Sequence, residues 1–359
     1  MRLLLLLLAS STALAQTSPQ TRISRITENL RGVSAVSQKI AWASGTHGTY
    51  LRTTDGRIWI PDHVPGADAL DFRGIVAFSA DEAFLMSSGP GDQSRIYHTT
   101  DAGRQWQLQF TNTNPKAFFD SIAFWDKTHG IVLGDPIPDE SGVPKFEILM
   151  TEDGQTWTPI PSSQLPPALD GEAAFAASNS CLAILSWKSA ASAPDPNIWF
   201  ATGGKAARVF HSPDRGHTWE VFDTPITHGP DSAGIFSIAF RDATHGVIAG
   251  GDYKLPEQDG PNLAFTSDGG KTWNLSKIFP QSYYSAVAYD HNGNHTEKDE
   301  VRDRLFLVGP NFIYDFRPPQ NPTRISAQKK SDSQFNAVSP YPQGGTLAVG
   351  PKGVLITIP

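Results

Sequence analysis

The segment Ser212-Pro-Asp-Arg-Gly-His-Thr-Trp219 recurs downstream as Thr266-Ser-Asp-Gly-Gly-Lys-Thr-Trp273 and upstream as Thr99-Thr-Asp-Ala-Gly-Arg-Gln-Trp106. Looser copies end at Trp59 and Trp157. The five tryptophans are 47, 51, 62 and 54 positions apart. A period of about 50 residues is too long for a helical-pair repeat and is typical of a four-stranded propeller blade.

A second motif precedes each copy of the first. Residues 121–134 closely match residues 237–250, and both read as an apolar strand, a hairpin turn with Gly, and a second strand. Weaker versions begin at Val33, Ile75, Ala173, Ser285 and Asn336. The seven copies predict an all-β, seven-bladed propeller of four-stranded blades. Because residues 353–359 end the chain as a third strand, we expect residues 21–27 to supply the fourth and close the ring.

Composition supports many short strands and limits the function classes. The chain has 359 residues, 39% hydrophobic and 18% charged, with 31 Gly and 28 Pro, which argues against a coiled coil. A formal net charge of −7 without any Lys or Arg cluster argues against a nucleic-acid partner. The lone Cys181 excludes an intrachain disulfide.

The N-terminus predicts export. Arg2, a short leucine run and the pattern Ala13-x-Ala15 are typical of a signal peptide cleaved between Ala15 and Gln16. The apolar run is too short to span a bilayer, which needs about 20 residues. We therefore expect a signal peptide at 1–15, an N-terminal segment with the closing strand at 16–29, and one propeller domain at 30–359. The expected product is a periplasmic or extracellular monomer that does not span the membrane.

The Trp-containing motif is interpreted as structural. An Asp carboxylate accepts backbone N–H bonds in a tight hairpin, Gly takes a conformation closed to other residues, and Trp packs on the blade. Five equivalent peripheral turns cannot form one active site. The residues assigned this structural role are Asp101, Gly103, Trp106, Gly154, Trp157, Asp214, Gly216, Trp219, Asp268, Gly270 and Trp273.

The pattern Ser/Thr-x-Asp-x-Gly-x-Thr-Trp resembles the Asp box, or bacterial neuraminidase (BNR) repeat, of sialidases, other glycosidases, sorting receptors and assembly factors. Residues 119–136 with 152–157, and residues 198–204 with 207–219, resemble the plant photosystem II stability/assembly factor-like group of bacterial propellers. The resemblance runs from about Leu30 to Pro359. It implies a non-catalytic protein-binding, assembly or stability factor, and we expect an envelope or secreted protein as its partner.

A glycoside hydrolase or glycan-binding propeller is the alternative. Sialidases need an arginine triad, and their N-terminal Arg-Ile-Pro is absent, the nearest string being Arg22-Ile-Ser. Other glycosidases use two opposed carboxylates, for which Asp120, Asp135 and Glu172 are candidates. The absence of a nucleotide-binding Gly-x-Gly-x-x-Gly segment, a Cys pair and a haem motif leads us to predict no cofactor.

Two features of the sequence partly resemble metal sites. His129 and His245 occupy equivalent turns in two blades, which favours a repeated structural role. The acidic stretch 290–303 partly matches a calcium loop but has His295 at the sixth position and Val301 at the twelfth, so a solvated insertion is the competing interpretation. We predict no metal.

Propellers bind ligands at the mouth of the central channel, where the innermost strands begin. The polar or charged residues entering the predicted first strands are candidates for this mouth, namely Arg31, Arg73, Asp120, Glu172, Tyr284 and Asn336. Loops 135–145, 188–196 and 252–261 are longer than a turn needs. They are equally consistent with a partner-binding rim and with tolerated surface insertions.

Overall fold

Seven antiparallel sheets radiate from a central channel, as the repeats predicted. The structure is a computed structural model, and it describes residues 20–24, 26–185, 195–277, 282–290, 304–310, 312–316, 323–325 and 334–358. The expected signal peptide at 1–15 and the stretch 291–303 lie outside the described residues. Helical structure in these ranges is limited to 3-10 turns at Gly91–Gln93 and Ser162–Gln164.

The strands of the described chain are short, as expected for a sequence rich in turn residues. In chain order they are β1 (Gln20–Ile23), β2 (Leu30–Ala35), β3 (Ala41–Gly45), β4 (Thr49–Thr53), β5 (Ile60–His63), β6 (Asp71–Ala77), β7 (Ala83–Ser88), β8 (Arg95–Thr99), β9 (Gln107–Thr111), β10 (Phe119–Phe124), β11 (Gly130–Pro138), β12 (Pro144–Thr151), β13 (Thr158–Pro159), β14 (Glu172–Ala173), β15 (Leu182–Ile184), β16 (Ile198–Ala201), β17 (Gly203–Gly204), β18 (Arg208–Ser212), β19 (Glu220–Asp223), β20 (Ala233–Phe240), β21 (Gly246–Asp252), β22 (Leu263–Thr266), β23 (Asn274–Leu275), β24 (Ala286–Tyr289), β25 (Leu305–Gly309), β26 (Phe312–Phe316), β27 (Thr323–Ile325), β28 (Ala337–Pro340), β29 (Thr346–Gly350) and β30 (Val354–Ile358).

The blades follow each other around the ring. From the innermost strand outward they are blade 1 (β2–β5), blade 2 (β6–β9), blade 3 (β10–β13), blade 4 (β15, β16, β18, β19), blade 5 (β20–β23), blade 6 (β24–β27) and blade 7 (β28, β29, β30, β1). Each innermost strand contacts the innermost strands of both neighbouring blades, and β28 of the last blade contacts β2 of the first. The seven innermost strands therefore form a closed ring around the channel.

The two ends of the chain share blade 7. Strand β1 pairs with β30 in antiparallel register from Gln20 opposite Thr357 to Ile23 opposite Val354. The Ser24 hydroxyl then donates to the Gly353 carbonyl at 2.7 Å. This pairing confirms the predicted closure and protects the outer edge of β30.

The start of blade 4 differs from the sequence-based assignment, which placed it at Ala173. Strand β14 instead pairs with β17, which extends the inner edge of blade 5, and the first strand of blade 4 begins at Leu182. The apolar run after Glu172 imitates a first strand, but residues 174–180 leave the blade pattern altogether. This extra segment accounts for the longest tryptophan spacing, from Trp157 to Trp219.

The core lies between neighbouring blades. In the interface between blades 4 and 5, the buried Trp199 ring stacks on Phe240 with centroids 3.8 Å apart. Each interface buries a similar set of aromatic and aliphatic side chains, which supplies the main stabilisation in the absence of a disulfide. Among the described residues, no helix is long and apolar enough to cross a membrane.

The tryptophan-containing turns close the hairpin between the third and fourth strands of blades 1 to 5. In blade 5 the Thr266 hydroxyl and the Thr272 amide donate to Asp268 Oδ1 at 2.7 and 3.0 Å. The Gly270 carbonyl, in a residue with φ of +92°, accepts from Trp273 Nε1 at 2.9 Å. In blade 3, the backbone amides of Thr156 and Gln155 lower the pKa of Asp153 to about 2. These carboxylates are engaged by their own hairpins.

Candidate functional site

Six of the seven innermost strands bulge at one shared position, the exception being β15 of blade 4. The register shifts between Leu30 and Gly32, Phe72 and Gly74, Phe119 and Ser121, and Ile235 and Ser237. In blades 6 and 7 the amides of Ser285 and Asn336 donate to the carbonyls of Val308 and Val349. These two valines pair with the next residue of each inner strand, as they do at a bulge. A bulge re-aims the side chain of the extra residue. The bulge residues are Arg31, Arg73, Asp120, Phe236, Ser285 and Asn336.

Five of these six bulge residues line one cavity of about 440 Å³ at the centre of the ring, the exception being Asp120. A volume of this size is in the range of small-molecule and side-chain binding pockets. The cavity therefore receives a side chain from blades 1, 2, 5, 6 and 7. Arg31, Arg73 and Asn336 were among the residues predicted from the sequence to lie at the channel mouth.

The floor of the cavity is the chain itself. Residues 174–180, here called the cross-channel segment, contribute Phe175, Ala176 and Ala177 to the lining. The Ala176 carbonyl accepts from Arg73 Nη1 at 3.2 Å in blade 2, and Ser178 Oγ donates to the Ser285 carbonyl at 3.0 Å in blade 6. Because it contacts blades on different sides of the ring, the segment spans the channel and lines one side of the cavity.

Phe175 anchors the cross-channel segment. Its ring stacks on Phe236 with centroids 4.0 Å apart and an interplanar angle of 6°. A Cβ on Gly203 or Gly234 would come within 2.1 or 2.8 Å of the Phe175 ring. Both glycines are therefore required by the close approach of this ring, in addition to the φ of +155° at Gly234.

An aromatic wall faces the arginines. The Phe236 ring meets Tyr283 edge-to-face at 4.9 Å and Tyr253 at 6.1 Å. Tyr283 is buried, whereas Tyr253 lies on the rim and is 49% exposed. Burial raises the pKa of Tyr283, so its phenol stays neutral. Tyr253 and Pro256 belong to loop 252–261, for which the sequence was equally consistent with a partner-binding rim and a surface insertion.

The two arginines differ in their partners. Arg73 Nε donates to Asp71 Oδ2 at 2.7 Å. Arg31 forms no ion pair with any described residue, and its buried Nε has no hydrogen-bond acceptor among them. Burial, and then the positive charge of Arg73, lower the pKa of Arg31. The Asp71 carboxylate acts on the Arg31 pKa in the opposite direction, so the cavity carries a guanidinium that has a carboxylate nearby but no ion pair of its own among the described residues.

Asp120 and Asp135 form a buried acidic pair outside the cavity lining. Asp120 is 1% exposed, and its Oδ2 has no hydrogen-bond partner among the described residues. Asp135 Oδ1 accepts the amide of Ala174 at 2.9 Å, at the root of the cross-channel segment. Burial and the neighbouring Asp135 raise the pKa of Asp120 well above its usual range, and burial raises that of Asp135 to about 6.

Glu172 and Tyr284 lie elsewhere. Glu172 is buried against Arg208, whose Nε donates to its Oε1 at 2.9 Å, and against the Thr202 hydroxyl at 2.6 Å. Tyr284 is fully buried in the core between blades 5 and 6, edge-to-face with Phe312. The cavity position of this strand is Ser285, one residue later.

Sequence reasoning missed the aromatic wall. Phe236 precedes Ser237 in the repeat, as Asp120 precedes Ser121, so the alignment of residues 121–134 with 237–250 contained the signal. Selecting only polar residues excluded it. No repeat indicated Tyr283, because it lies in the connection before the repeat copy of blade 6.

Repeated histidines have hydrogen-bonded structural partners. Asp126 Oδ1 accepts the amides of Thr128 and His129 at 2.8 and 2.9 Å, and Asp242 repeats this in blade 5. Within the described ranges, no group of three or more potential metal ligands comes together. Residues 291–303, most of the stretch that partly matches a calcium loop, lie outside those ranges.

Solved structures match the whole fold. A structure of YCF48 bound to a D1 peptide aligns with a TM-score of 0.64 and 15% identity, covering 96% of this chain and 98% of that one. YCF48 from Cyanidioschyzon merolae aligns at 0.63 and 16%, covering 95% and 99%. The fold is shared with YCF48. No protein-family model and no curated protein sequence matches the chain.

A glycoside hydrolase also shares the architecture. The GH74 xyloglucanase from Xanthomonas campestris aligns with a TM-score of 0.60 and 14% identity, covering 94% of this chain. The chain corresponds to only 53% of the length of that enzyme. At these identities the likeness is one of fold, and function has to be argued from the site.

Proposed function

We propose that the chain is an exported, non-catalytic propeller of the Asp-box, photosystem II assembly factor-like type, which binds a segment of an envelope or secreted protein at its central cavity. The observation that carries the proposal is the cavity lining. It combines the guanidinium groups of Arg31 and Arg73 with the aromatic wall around Phe236, and Asp231 is the one carboxylate that lines it among the described residues.

The composition of this lining supports binding in preference to hydrolysis. A glycosidase needs two carboxyl groups about 5–10 Å apart on either side of the scissile bond. Aromatic and arginine side chains, by contrast, dominate the energetics of protein-binding sites because they combine large apolar area with directional polar contacts. The peptide-bound state of YCF48 supports the proposal by showing that a propeller with this overall fold can hold a peptide.

The rim tests the proposal. Tyr253 lines the cavity, Leu255 lies in the same loop, and both are half exposed. Ile58 and Ile60, in the outer hairpin of blade 1, are more exposed still. We expect the double substitution Tyr253→Ala and Leu255→Ala to reduce capture of the partner from envelope extracts by about tenfold or more, because interface aromatics carry much of the binding energy. The matched control, Ile58→Ala with Ile60→Ala, should capture it as the wild type does. Equal capture by both variants would contradict binding at the cavity.

The buried acidic pair favours glycan hydrolysis as the second candidate. Asp135, with a pKa of about 6, has the protonation behaviour of a general acid. Its carboxyl group, however, accepts the Ala174 amide, and Asp120 is buried away from the cavity. Incubation with xyloglucan and sialosides discriminates the two functions. We expect no release of reducing sugar, and turnover that is lost in Asp135→Asn would establish the hydrolase instead.

A further inference from the structure

The chemistry of the cavity also defines a ligand class, an inference that rests on the proposed binding function. We infer that the cavity binds a single terminal carboxylate carried on an aromatic group, with Arg31 holding the carboxylate and the aromatic wall holding the ring. The source of this chemistry is either the C-terminus of a protein or a small free aromatic acid.

Arg31 supplies the first step. The Arg31 guanidinium carries five N–H donors, yet its one acceptor among the described residues is the Ala176 carbonyl, at 3.5 Å from Nη2. A partly buried guanidinium whose Nε lacks an acceptor among the described residues is costly, and an anion that accepts from it offsets this cost. A carboxylate matches the fork of the guanidinium with two parallel hydrogen bonds. Arg31 is therefore the group in the cavity with the most to gain from a bound carboxylate.

The surrounding charges favour a monoanion. Arg73 adds positive charge beside Arg31, but that charge is already shared with Asp71. Asp231 adds an exposed carboxylate to the lining. Asp71 and Asp231 thus match the two arginines in number, so a phosphate dianion would add two negative charges beside these carboxylates, whereas one carboxylate adds only one.

The shape favours a terminal group next to a ring. Phe236 and Tyr283 present a buried aromatic surface, and Tyr253 extends it to the rim. Aromatic rings gain from edge-to-face and offset contacts with such a surface. Because the cross-channel segment lies across the channel and lines the cavity, we expect a chain that enters from the rim to end against it. A carboxylate that reaches Arg31 is then the end of the ligand.

Calorimetric titration of residues 16–359 with N-acetyl-L-phenylalanine and its uncharged amide tests the inference. We expect the acid to bind about tenfold or more tightly than the amide, since charge-assisted bidentate bonds form only with the acid. Arg31→Met should abolish this preference and retain the thermal unfolding midpoint of the wild type within a few degrees. Arg57→Met, an exposed arginine in the outer hairpin turn of blade 1, is the matched control and should retain the preference.

Further titrations separate the sources. The peptide Gly-Gly-Gly-Phe with a free C-terminus should bind more tightly than N-acetylphenylalanine if a protein terminus is the ligand, and no more tightly if the ligand is a small acid. The inference is overturned if acid and amide bind equally, if Arg31→Met keeps the preference, or if inorganic phosphate competes as well as the acid. If it fails in this way while Tyr253→Ala with Leu255→Ala still loses the envelope partner, the proposed function stands without this ligand class.

Discussion

Arg208 and Glu172 show how a buried polar residue near the axis serves structure. The two carboxylate oxygens of Glu172 accept from Arg208, from the Thr202 hydroxyl and from the Leu169 amide, so the Glu172 side chain is fully bonded and not exposed. Arg31 has the opposite environment, because it forms no ion pair with a described residue and its buried Nε has no acceptor among them. The number of partners, more than charge or depth, distinguishes the structural residue from the candidate ligand-binding residue.

Breaking the Glu172–Arg208 pair should be costly. We expect Arg208→Met to lower the free energy of unfolding by about 3–5 kcal/mol, because it leaves a buried carboxylate without its charged partner. Arg95 occupies the corresponding first position of β8 and lies 3.9 Å from an exposed Asp92. Arg95→Met should cost no more than about 1 kcal/mol. Urea unfolding of both variants measures the difference, and equal losses would contradict the assignment.

The acidic pair makes stability depend on pH. Because Asp120 and Asp135 have raised pKa values in the folded protein, they hold protons there that the unfolded chain releases near pH 3.8. Their contribution to stability therefore falls as pH rises from about 4 through the folded pKa, which is about 6 for Asp135. Asp120→Asn cannot ionise, so it should lose less stability than the wild type between pH 4.5 and 7.5.

The pH comparison needs a surface control. Asp259 is exposed and has no hydrogen-bond partner among the described residues, so Asp259→Asn should keep the wild-type dependence on pH. Unfolding free energies at both pH values measure the effect. An Asp120→Asn variant with the same loss of stability as the wild type would show that ionisation of this pair costs nothing in the fold.

At the scale of elements, the cross-channel segment depends on two glycines in neighbouring strands. Gly203 in β17 and Gly234 in β20 lie opposite each other and leave room for the Phe175 ring. Gly203→Ala should lower the free energy of unfolding by about 1–3 kcal/mol, the usual cost of overpacking a buried site. Phe175→Ala removes the ring that the new methyl group would meet.

A double-mutant cycle isolates this contact. The cost of Gly203→Ala with Phe175→Ala together should be smaller than the sum of the two single costs, because the clash disappears with the ring. Additive costs would mean that Gly203 is needed for the backbone alone. Chemical unfolding of the four proteins provides the numbers.

The elements also show what could be predicted from the sequence. Repeats fixed the blade number, and the polar bulge residues Arg31, Arg73 and Asn336 stood out because they interrupt apolar strands. Tyr284 lies one position before the bulge residue Ser285, and the two adjacent tyrosines conceal the register in the sequence. Residues 174–180 have no counterpart in other blades, so no periodicity could indicate that they cross the channel.

At the scale of the whole molecule, the ring is closed by a single strand from the N-terminus. Strand β1 covers the outer edge of β30 and joins the two ends of the chain. Removal of residues 16–24 should lower the thermal unfolding midpoint and promote association, because an exposed strand edge pairs with other chains. Removal of 16–19 alone leaves β1 intact and should change neither property. If removal of residues 16–24 left the thermal unfolding midpoint equal to that of the undeleted protein, closure by β1 would be contradicted.

The central claim is that the open end of the cavity is where a partner binds. Its most direct test places a photo-crosslinking phenylalanine analogue at Tyr253, and separately at Ile60 on the outer edge of blade 1, in cells that export the protein. Mass spectrometry of the adducts then identifies the crosslinked chain and residue. We predict that position 253 crosslinks to one segment of one envelope or secreted protein and that position 60 does not. Adducts of equal yield at both positions, or none at position 253, would contradict the claim.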